Sequence, residues 1–387
     1  MAFSPGAHRL AEIDFLRGVA IILVLFSHHW LTDPTQRMGW IGVDLFFVLS
    51  GFLVSGLLFN EYKKFGSIDV KRFLIRRGFK IYPSFYFSIA VTTVLLFFFP
   101  NLSCFPDAHL LILNYKGILA GLAIECLFLQ SYFFGFWGHH WSLAVEEHFY
   151  LFLVILLLVL VRKKVLENTR LFVGISLSIF AACLSMRIVT NLYTSDLITF
   201  TATHLRIDSL FAGVVVSYFY HFHLDPLKNF YAKYRLYLLL AIVPLLGFTP
   251  FVNVLESFFV KTIGFTLITA AFCCLLLVFL FESRINEKVG RVISARLYSL
   301  IATQIGFYSY GIYLFHFYVV RYLVGEDYAH QKYINGEWTY LELVLSFCIY
   351  FVLSIFLGVL LSKLIETPML KLRDKWFPRR SPAAVEP

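Results

Sequence analysis

Residues Phe15 to Leu31 read FLRGVAIILVLFSHHWL, an apolar stretch that is interrupted by Arg17 and ends in two histidines before its last two residues. A helix over this stretch places Arg17 and His28 on one face, three turns or about 16 Å apart along its axis. A charge near the centre of a membrane span costs roughly 2.5–3.5 kcal/mol on insertion scales, and ionisable residues inside spans mark functional sites by default. The first helix is therefore where we look for chemistry.

The composition places the chain in a membrane. Its 387 residues are 59% hydrophobic, 19% aromatic and only 15% charged, which is more apolar surface than one soluble core could bury. This pattern predicts an all-α, polytopic membrane helix bundle and argues against a large soluble enzyme. Ten spans are predicted, at about residues 12–30, 39–59, 81–99, 141–161, 171–190, 204–221, 236–252, 259–281, 306–324 and 341–362.

Basic residues set the predicted orientation of these spans. If the N-terminus is cytoplasmic, the inner segments hold most of the 33 Lys and Arg, whereas the outer loops hold only Arg37, Lys116 and Lys332. Both termini are therefore expected in the cytoplasm. The net charge of +9 is interpreted as a topology signal and as attraction to anionic lipid, and no nucleic acid is expected as a partner.

The segment 117–137 is apolar apart from Glu125 and competes for span status. Counting it as an eleventh span would move all later basic loops to the outside, so we expect a re-entrant or interfacial hairpin buried against protein. No repeat or linker divides the chain. One transmembrane domain is therefore predicted over residues 1–370, followed by a cytoplasmic basic tail over residues 371–387.

The six cysteines include no CxxC pair and have no histidine at ligand spacing, so no metal site is expected. Cys104 and Cys126 both fall in the predicted outer segment, where a disulfide would form in an oxidising compartment. The sequence leaves this pairing open.

Ionisable and polar side chains of the predicted spans fall into two layers, when depth is estimated from the span boundaries at about 1.5 Å per residue. The outer layer comprises His28, His29, Asp44, Trp141, Glu146, Glu147, Arg206 and Asp208. The inner layer comprises Asp14, Arg17, Arg72, Arg76, Arg77 and Lys80.

The outer layer predicts a catalytic base. The short loop 31–38 makes the first two spans antiparallel neighbours, which brings Asp44 to the depth of His28. A carboxylate beside an imidazole fixes its tautomer and makes it a better base, so Asp44 would orient His28. Glu146 or Glu147 would then bind the acceptor or share the proton path. The alternative is a histidine that caps a helix end at headgroup level.

The inner layer predicts an anion site. Arg77 and Lys80 lie one helical turn apart at the mouth of the third span, and Pro83 is expected to fix the start of that helix nearby. Paired guanidinium and ammonium groups suit the phosphates of a bulky ligand, and Arg76 and Arg17 are predicted to join them. The alternative is a simple positive-inside anchor of the span.

A further polar face lies in the ninth predicted span, where Ser309, Tyr313 and His316 follow i, i+4, i+7 spacing. Such a face favours an interhelical hydrogen-bond network. A polar network that is either structural or acceptor-binding is predicted to include Asp14, Trp141, Arg206, Asp208, Tyr313 and His316.

These motifs together make the sequence resemble the acyltransferase 3 family, membrane-bound enzymes that O-acylate extracytoplasmic glycans. The match extends from about residue 9 to about residue 370. In order, the motifs are IDFLRG (13–18) with Arg17-x10-His28, GVDLFFVLSGF (42–52), Arg77-x-x-Lys80-IYP, WSLAVEEHFY (141–150), RID (206–208) and SYGIYLFH (309–316).

The resemblance implies a ten-span bundle in a bacterial inner membrane and a cytoplasmic acyl-CoA donor, with acetyl-CoA as the expected form. It implies as acceptor a hydroxyl of a glycan or lipid-linked sugar on the far side. Arg17 and His28 are implied to be essential, and the basic pair before the third span, here Arg77 and Lys80, to bind the donor. Lys80 replaces the family's second arginine, which keeps the charge but loses the bidentate fork. Some members carry an additional soluble esterase-like domain, whereas here the bundle is expected to be the whole transferase.

The predicted function is therefore that of a membrane O-acyltransferase with no bound cofactor, in which His28 removes the proton of the acceptor hydroxyl. Because Arg17 and His28 are about 16 Å apart, either an extended acyl-CoA arm or a covalent acyl-histidine must bridge them. A transporter or flippase of acyl groups or sugar-linked lipids is the alternative function. The paired broken spans that indicate alternating access are not found in the sequence.

Overall fold

The computed structural model of the chain describes residues 11–98, 115–133, 135–194, 197–320, 331–378 and 380. Over these ranges the chain forms helices and connecting turns, and none of the described residues belongs to a β-strand. The all-α prediction is therefore confirmed for the part of the chain that the structure describes.

The α-helices are numbered in chain order. They are α1 (Ala11–Ser27), α2 (Asp33–Gly39), α3 (Ile41–Phe65), α4 (Val70–Phe98), α5 (Tyr115–Cys126), α6 (Trp141–Arg162), α7 (Thr169–Tyr193), α8 (Ile198–Thr201), α9 (Thr203–Phe222), α10 (Leu224–Leu246), α11 (Phe265–Phe281), α12 (Ile285–Ile293), α13 (Ala295–Leu300), α14 (Ser309–Tyr318), α15 (Tyr340–Leu361) and α16 (Thr367–Trp376). Two 3-10 turns cover Gly138–His140 and Val165–Glu167, and π-helical turns cover Val260–Gly264, Ile301–Gly306 and Ser362–Glu366.

Six helical segments among the described residues are long and apolar enough to cross a membrane. They are Asp33–Phe65, Val70–Leu96, Gly138–Arg162, Thr169–Tyr193, Val260–Phe281 and Tyr340–Trp376. The protein is therefore a multi-pass membrane protein. The count of ten spans and the cytoplasmic position of both termini stay predictions.

The segment that competed for span status forms a short helix and a return. Among the described residues helix α5 covers 12 residues, whereas a crossing requires about 20. Its buried Glu125 accepts hydrogen bonds from the backbone N–H of Phe136 at 2.7 Å and from the side chain of Gln130 at 2.6 Å, which hold the returning chain against it. This agrees with the predicted hairpin. Cys104, the suggested partner of Cys126, lies outside the described residues.

Helices α3 and α9 cross at very short range near the middle of the bundle. A Cβ atom at Gly51 would collide with the carbonyl of Leu210, and a Cβ atom at Gly213 would collide with the carbonyl of Val48. Small residues allow such close approach of helices in membranes. The crossing fixes the rotation of α3, and with it the direction of every polar side chain on that helix.

Helix α4 starts earlier than the sequence suggested. It begins at Val70, where the carboxylate of Asp69 accepts a hydrogen bond from the backbone N–H of Arg72 at 3.0 Å, the contact of an N-cap residue. Pro83 lies inside the helix, so the prediction that it fixes the helix start is wrong. Arg77 is consequently in the second turn of a continuous helix that extends into the bundle.

Candidate active site

A cavity of about 110 Å³ lies between helices α1, α3, α4, α6 and α14. Ionisable groups of both signs share it with hydroxyl groups. The polar residues that line it are Arg17, Ser50, Arg77, Lys80, Ser142, Glu146, Glu147, Ser309, Tyr310 and Tyr313.

Arg77 is held firmly at this cavity. Its guanidinium donates to the hydroxyl of Tyr150, lies 4.1 Å from the centroid of that ring, and is 3.6 Å from the carboxylate of Glu146. The Tyr150 hydroxyl also bonds to Glu146 and lies 2.7 Å from the Ser50 hydroxyl. Nε of Arg77 is buried and has no hydrogen-bond acceptor among the described residues. An anion in the cavity could supply one.

Arg17 and Lys80 bring two more positive charges to the same cavity, as the sequence predicted for the anion site. Arg17 lies 3.7 Å from the carboxylate of Asp14, one turn earlier in α1. Asp14 therefore forms an ion pair with Arg17. The sequence had left open whether Asp14 is structural or binds the acceptor. Guanidinium and ammonium groups gathered in one cleft favour an anionic ligand with several phosphates.

Arg76 points elsewhere, which corrects its predicted place beside Arg77. Its guanidinium donates to the carboxylate of Asp374 at 2.9 Å and to the backbone carbonyl of Phe377, both at the C-terminal end of the described chain. The physical reason is that adjacent residues of a helix point about 100° apart. Arg76 thus faces α16, while Arg77 faces the cavity.

Glu146 and Glu147 lie with the basic residues, although the sequence placed them beside His28. Glu146 faces Arg77, and the Glu147 carboxylate accepts a hydrogen bond from the Tyr82 hydroxyl at 3.1 Å. Helix α6 begins at Trp141, so both carboxylates lie more than one turn into the helix, about 8 Å along its axis. Two members of the predicted outer layer therefore share the cavity with Arg17, Arg77 and Lys80 of the predicted inner layer.

Asp44 bonds to Arg206 and not to His28, which corrects another prediction. Its carboxylate accepts a hydrogen bond from Arg206 at 2.7 Å, and both side chains are 0% exposed. The Arg206 guanidinium lies 3.7 Å from the ring centroid of Phe265 and 5.5 Å from that of Trp141. The cause is the close crossing of α3 and α9, which turns Asp44 toward α9. Asp44, Arg206 and Trp141 therefore belong to a structural polar network.

Asp208 belongs to a second buried ion pair that sequence reasoning missed. Its carboxylate accepts a hydrogen bond from Arg187 of α7, and both side chains are almost completely buried. Arg187 also donates to the Thr266 hydroxyl at 3.1 Å. The signal was present, because an arginine within a predicted apolar span needs a partner in the bundle.

Two of the residues that line the cavity, Ser142 and Tyr313, join α6 to α14. The hydroxyls of Ser142 and Tyr313 bond to each other, and Tyr313 also donates to the backbone carbonyl of His139 at 2.8 Å. Arg17 lines the cavity, but His28 is not among the described residues that do. The Ser142–Tyr313 contact thus lies between the charged cavity and the next turn of α14, where His316 lies.

His28 directly follows α1 and is partly exposed. Its Nδ1 atom lies 2.9 Å from the Val24 carbonyl and 3.3 Å from Nε2 of His316. The edge of its ring contacts Phe317, with 4.6 Å between the ring centroids. The side chain that bonds to His28 across the bundle is therefore a histidine and not the predicted carboxylate.

Two more buried histidines lie close by, and the sequence analysis singled out neither. The His139 ring is 5.0 Å from that of His316, and Nδ1 of His140 is 2.9 Å from the carboxylate of Glu125. The pair His139–His140 stands directly before the WSLAVEEHFY motif, which was the available signal. Among the described residues, no group of three His, Cys, Asp or Glu side chains could hold a metal ion.

Comparison with known proteins adds independent findings. The family model described as "Acyltransferase domain" matches residues 10–363. The chain is 30% identical over 330 residues to the peptidoglycan O-acetyltransferase OatA of Listeria monocytogenes, which covers 80% of this chain and 49% of that protein. It is 26% identical over 390 residues to the O-acetyltransferase OatA of Staphylococcus aureus strain NCTC 8325, which covers 95% of this chain and 58% of that protein.

A further Staphylococcus aureus protein, from strain MSSA476, is 27% identical over 392 residues, which is 96% of this chain and 58% of that protein. The chain thus spans about half the length of the curated relatives it matches. No solved structure matches it significantly.

Proposed function

Because the chain belongs to the acyltransferase 3 family, whose model matches residues 10–363, we propose that it is a membrane O-acyltransferase. The transferred group is acetyl, in keeping with the O-acetyltransferase names of its relatives. The donor is acetyl-CoA, and the acceptor is a hydroxyl of a cell-envelope glycan, the class that includes the peptidoglycan in the name of the Listeria relative. The proposed location is the bacterial cell membrane.

The cavity is the single observation that carries this proposal. It gathers the cations of Arg17, Arg77 and Lys80, which suit the phosphates of a CoA donor. Arg77 is already oriented by its contacts with Tyr150 and Glu146, so it would lose little conformational freedom on binding. The nucleotide would remain at the mouth of the cavity.

His28 is the proposed general base. Its Nε2 atom takes the proton of the acceptor hydroxyl as the hydroxyl oxygen forms a bond to the thioester carbon. The carbon–sulfur bond breaks, the CoA thiolate leaves toward the cavity, and the proton on His28 returns to solvent or to the thiolate. The acyl carbon stays at the same oxidation level throughout, so no further reactant is required.

The acetyl group must pass the Ser142–Tyr313 contact in order to reach His28. Two routes remain. In one, the contact separates and the pantetheine arm extends past it to the acceptor. In the other, His28 accepts the acetyl group first and passes it to the hydroxyl. Incubation with labelled acetyl-CoA in the absence of acceptor distinguishes them, because only the second route leaves one acetyl group on the peptide that contains His28.

The test uses the full chain in lipid nanodiscs with radiolabelled acetyl-CoA and soluble peptidoglycan fragments. We expect label on the glycan that is released by mild alkali, as an O-ester is. His28→Ala should abolish transfer. His29→Ala is the matched control, because His29 is the adjacent imidazole but bonds to Ser346 at 3.1 Å instead of to the His28 network.

The proposal would be refuted by active, folded protein in which His28→Ala transfers acetyl groups as fast as the wild type. It would also be refuted if the wild-type protein moved a glycan or acetyl-CoA between compartments without forming an ester, since that result would identify a transporter.

A further inference from the structure

The hydrogen bonds of His28 fix which of its ring nitrogens is basic. Nδ1 lies 2.9 Å from the Val24 carbonyl, an oxygen that can only accept a hydrogen bond. Nδ1 of the neutral ring therefore carries the proton. The Ser27 hydroxyl, 3.2 Å from Nδ1, donates its own proton to the same carbonyl and leaves a lone pair toward the ring. Nε2 of His28 consequently keeps its lone pair and is the nitrogen that can take a proton.

The hydrogen bonds of His316 lead independently to a matching arrangement. Its Nδ1 lies 2.6 Å from the Tyr313 carbonyl, so this nitrogen also carries the proton. Nε2 of His316 then keeps its lone pair, and it lies 3.3 Å from Nδ1 of His28. The single Nδ1–H of His28 is therefore shared by two acceptors, the Val24 carbonyl at 2.9 Å and Nε2 of His316 at 3.3 Å. In the opposite tautomers, the Nδ1 lone pairs of His28 and His316 would face the carbonyl oxygens of Val24 and Tyr313, which is unfavourable.

We propose that His316 is the positioning residue for His28, in the role that the sequence gave to Asp44. This inference rests on the proposed function, in which His28 is the base. His316 shares the Nδ1–H of His28 with the Val24 carbonyl and so holds Nε2 toward the acceptor hydroxyl. When His28 takes the hydroxyl proton, its ring becomes an imidazolium and His316, which stays neutral, accepts a charge-assisted hydrogen bond.

The distance of 3.3 Å is longer than the usual 2.9–3.0 Å of an N–H hydrogen bond, so the bond between the neutral rings is weak. A charge on the donor shortens and strengthens such a bond. The interaction is therefore stronger in the transition state than in the resting protein, which is the condition for acceleration of the chemical step.

The surroundings of His316 favour this fixed geometry. The side chain is completely buried, and its ring packs against Phe317 at 4.9 Å and against His139 at 5.0 Å between centroids. His139 is itself directed away, since its Nε2 faces the Leu314 carbonyl at 3.4 Å. His139 thus contacts His316 without a hydrogen bond to it, and it provides a matched control.

The test compares three variants in the acetyl-transfer assay. His316→Phe removes the acceptor and should lower kcat by about 10- to 100-fold, the effect of losing a hydrogen bond to a charged group, with KM for acetyl-CoA unchanged. His316→Gln keeps an acceptor oxygen and should restore part of kcat. His139→Phe should leave kcat near the wild-type value. His316→Leu serves if the phenylalanine variant does not fold.

A second measurement does not depend on turnover. Diethyl pyrocarbonate modifies the lone-pair nitrogen of a neutral imidazole, and mass spectrometry reports its rate on the peptide that contains His28. That rate should fall in His316→Phe and recover in His316→Gln. Wild-type kcat in folded His316→Phe, or equal loss in both His316 variants, would overturn the role of His316. A wild-type protein that transfers no acetyl group, but whose labelling rates follow the predicted order, would instead overturn the proposed function.

Discussion

Replacement of Asp44 by alanine is expected to destabilise the protein strongly, because it leaves the guanidinium of Arg206 buried without its carboxylate. Both side chains are 0% exposed, and their hydrogen bond of 2.7 Å joins α3 to α9. Two nitrogens of Arg206, Nε and Nη1, have no hydrogen-bond acceptor among the described residues. The Asp44 carboxylate is therefore the main group that stabilises the buried charge of Arg206.

The expected loss is about 3–5 kcal/mol, the cost of removing one partner of a fully buried ion pair. This corresponds to a change of roughly a hundred- to several thousandfold in the unfolding equilibrium. The aromatic contact of Arg206 with Phe265, at 3.7 Å, remains in the variant and offsets part of the loss. The double variant Asp44→Leu with Arg206→Met should recover most of the stability, because two apolar side chains leave no charge to compensate.

The assay is thermal and denaturant unfolding of purified protein in detergent, with abundance in the membrane as a second readout. Asp33→Ala is the control for removing a carboxylate near the same helix. It breaks an exposed pair with Arg37, whose side chains are 60% and 45% exposed, so at most about 1 kcal/mol should be lost.

The opposite outcome would restore the catalytic interpretation of Asp44. If Asp44→Ala unfolded like the wild type but lost acetyl transfer, then the carboxylate would act on the reaction and our reasoning from the Arg206 contact would be wrong. If the double variant is as unstable as Asp44→Ala, then the loss of stability does not come from a buried guanidinium without its carboxylate. The site would then need the ion pair for another reason.

Three further changes test other parts of the structure. Arg77→Gln should raise KM for acetyl-CoA by about 10- to 100-fold, because it removes a charged hydrogen bond to phosphate. Arg76→Gln should leave KM unchanged. Equal effects of the two substitutions would place the donor elsewhere. Gly51→Val should lower the abundance of the protein in the membrane several-fold, because the valine side chain collides with the backbone of α9. Normal abundance of this variant would contradict the close crossing of α3 and α9. Glu125→Ala should lower the free energy of unfolding by about 1–3 kcal/mol for each buried donor that loses its acceptor. If the variant unfolds like the wild type, the hairpin does not depend on this carboxylate.

Features that depend on one helix could be predicted from the sequence. Arg17 lies in α1 and His28 directly follows it, so their separation along the axis depends on that one helix. Depth along a helix follows from 1.5 Å per residue wherever the helix boundaries are right. The start of α6 at Trp141 was predicted correctly, but Glu146 and Glu147 were counted with the helix entrance although they lie about 8 Å farther along its axis.

The direction in which a side chain points within the bundle could not be predicted. Asp44 was placed at the depth of His28, but its partner depends on how α3 is rotated, and that rotation is set by the crossing at Gly51. The same limit hid the contact between His28 and His316, which are 288 positions apart in the chain. Helical periodicity gives the angle between residues of one helix, and only packing gives the angle between two helices.

The hydroxyl contact between Ser142 and Tyr313 has a consequence for the cell that carries the protein. A protein that spans a bilayer would dissipate the ion gradients if its interior were open from end to end. Beyond this contact lie the stacked rings of His139 and Phe317, with 4.2 Å between their centroids, which leave little room for water. The charged cavity can therefore be hydrated while the aromatic rings on the other side of this contact stay packed together.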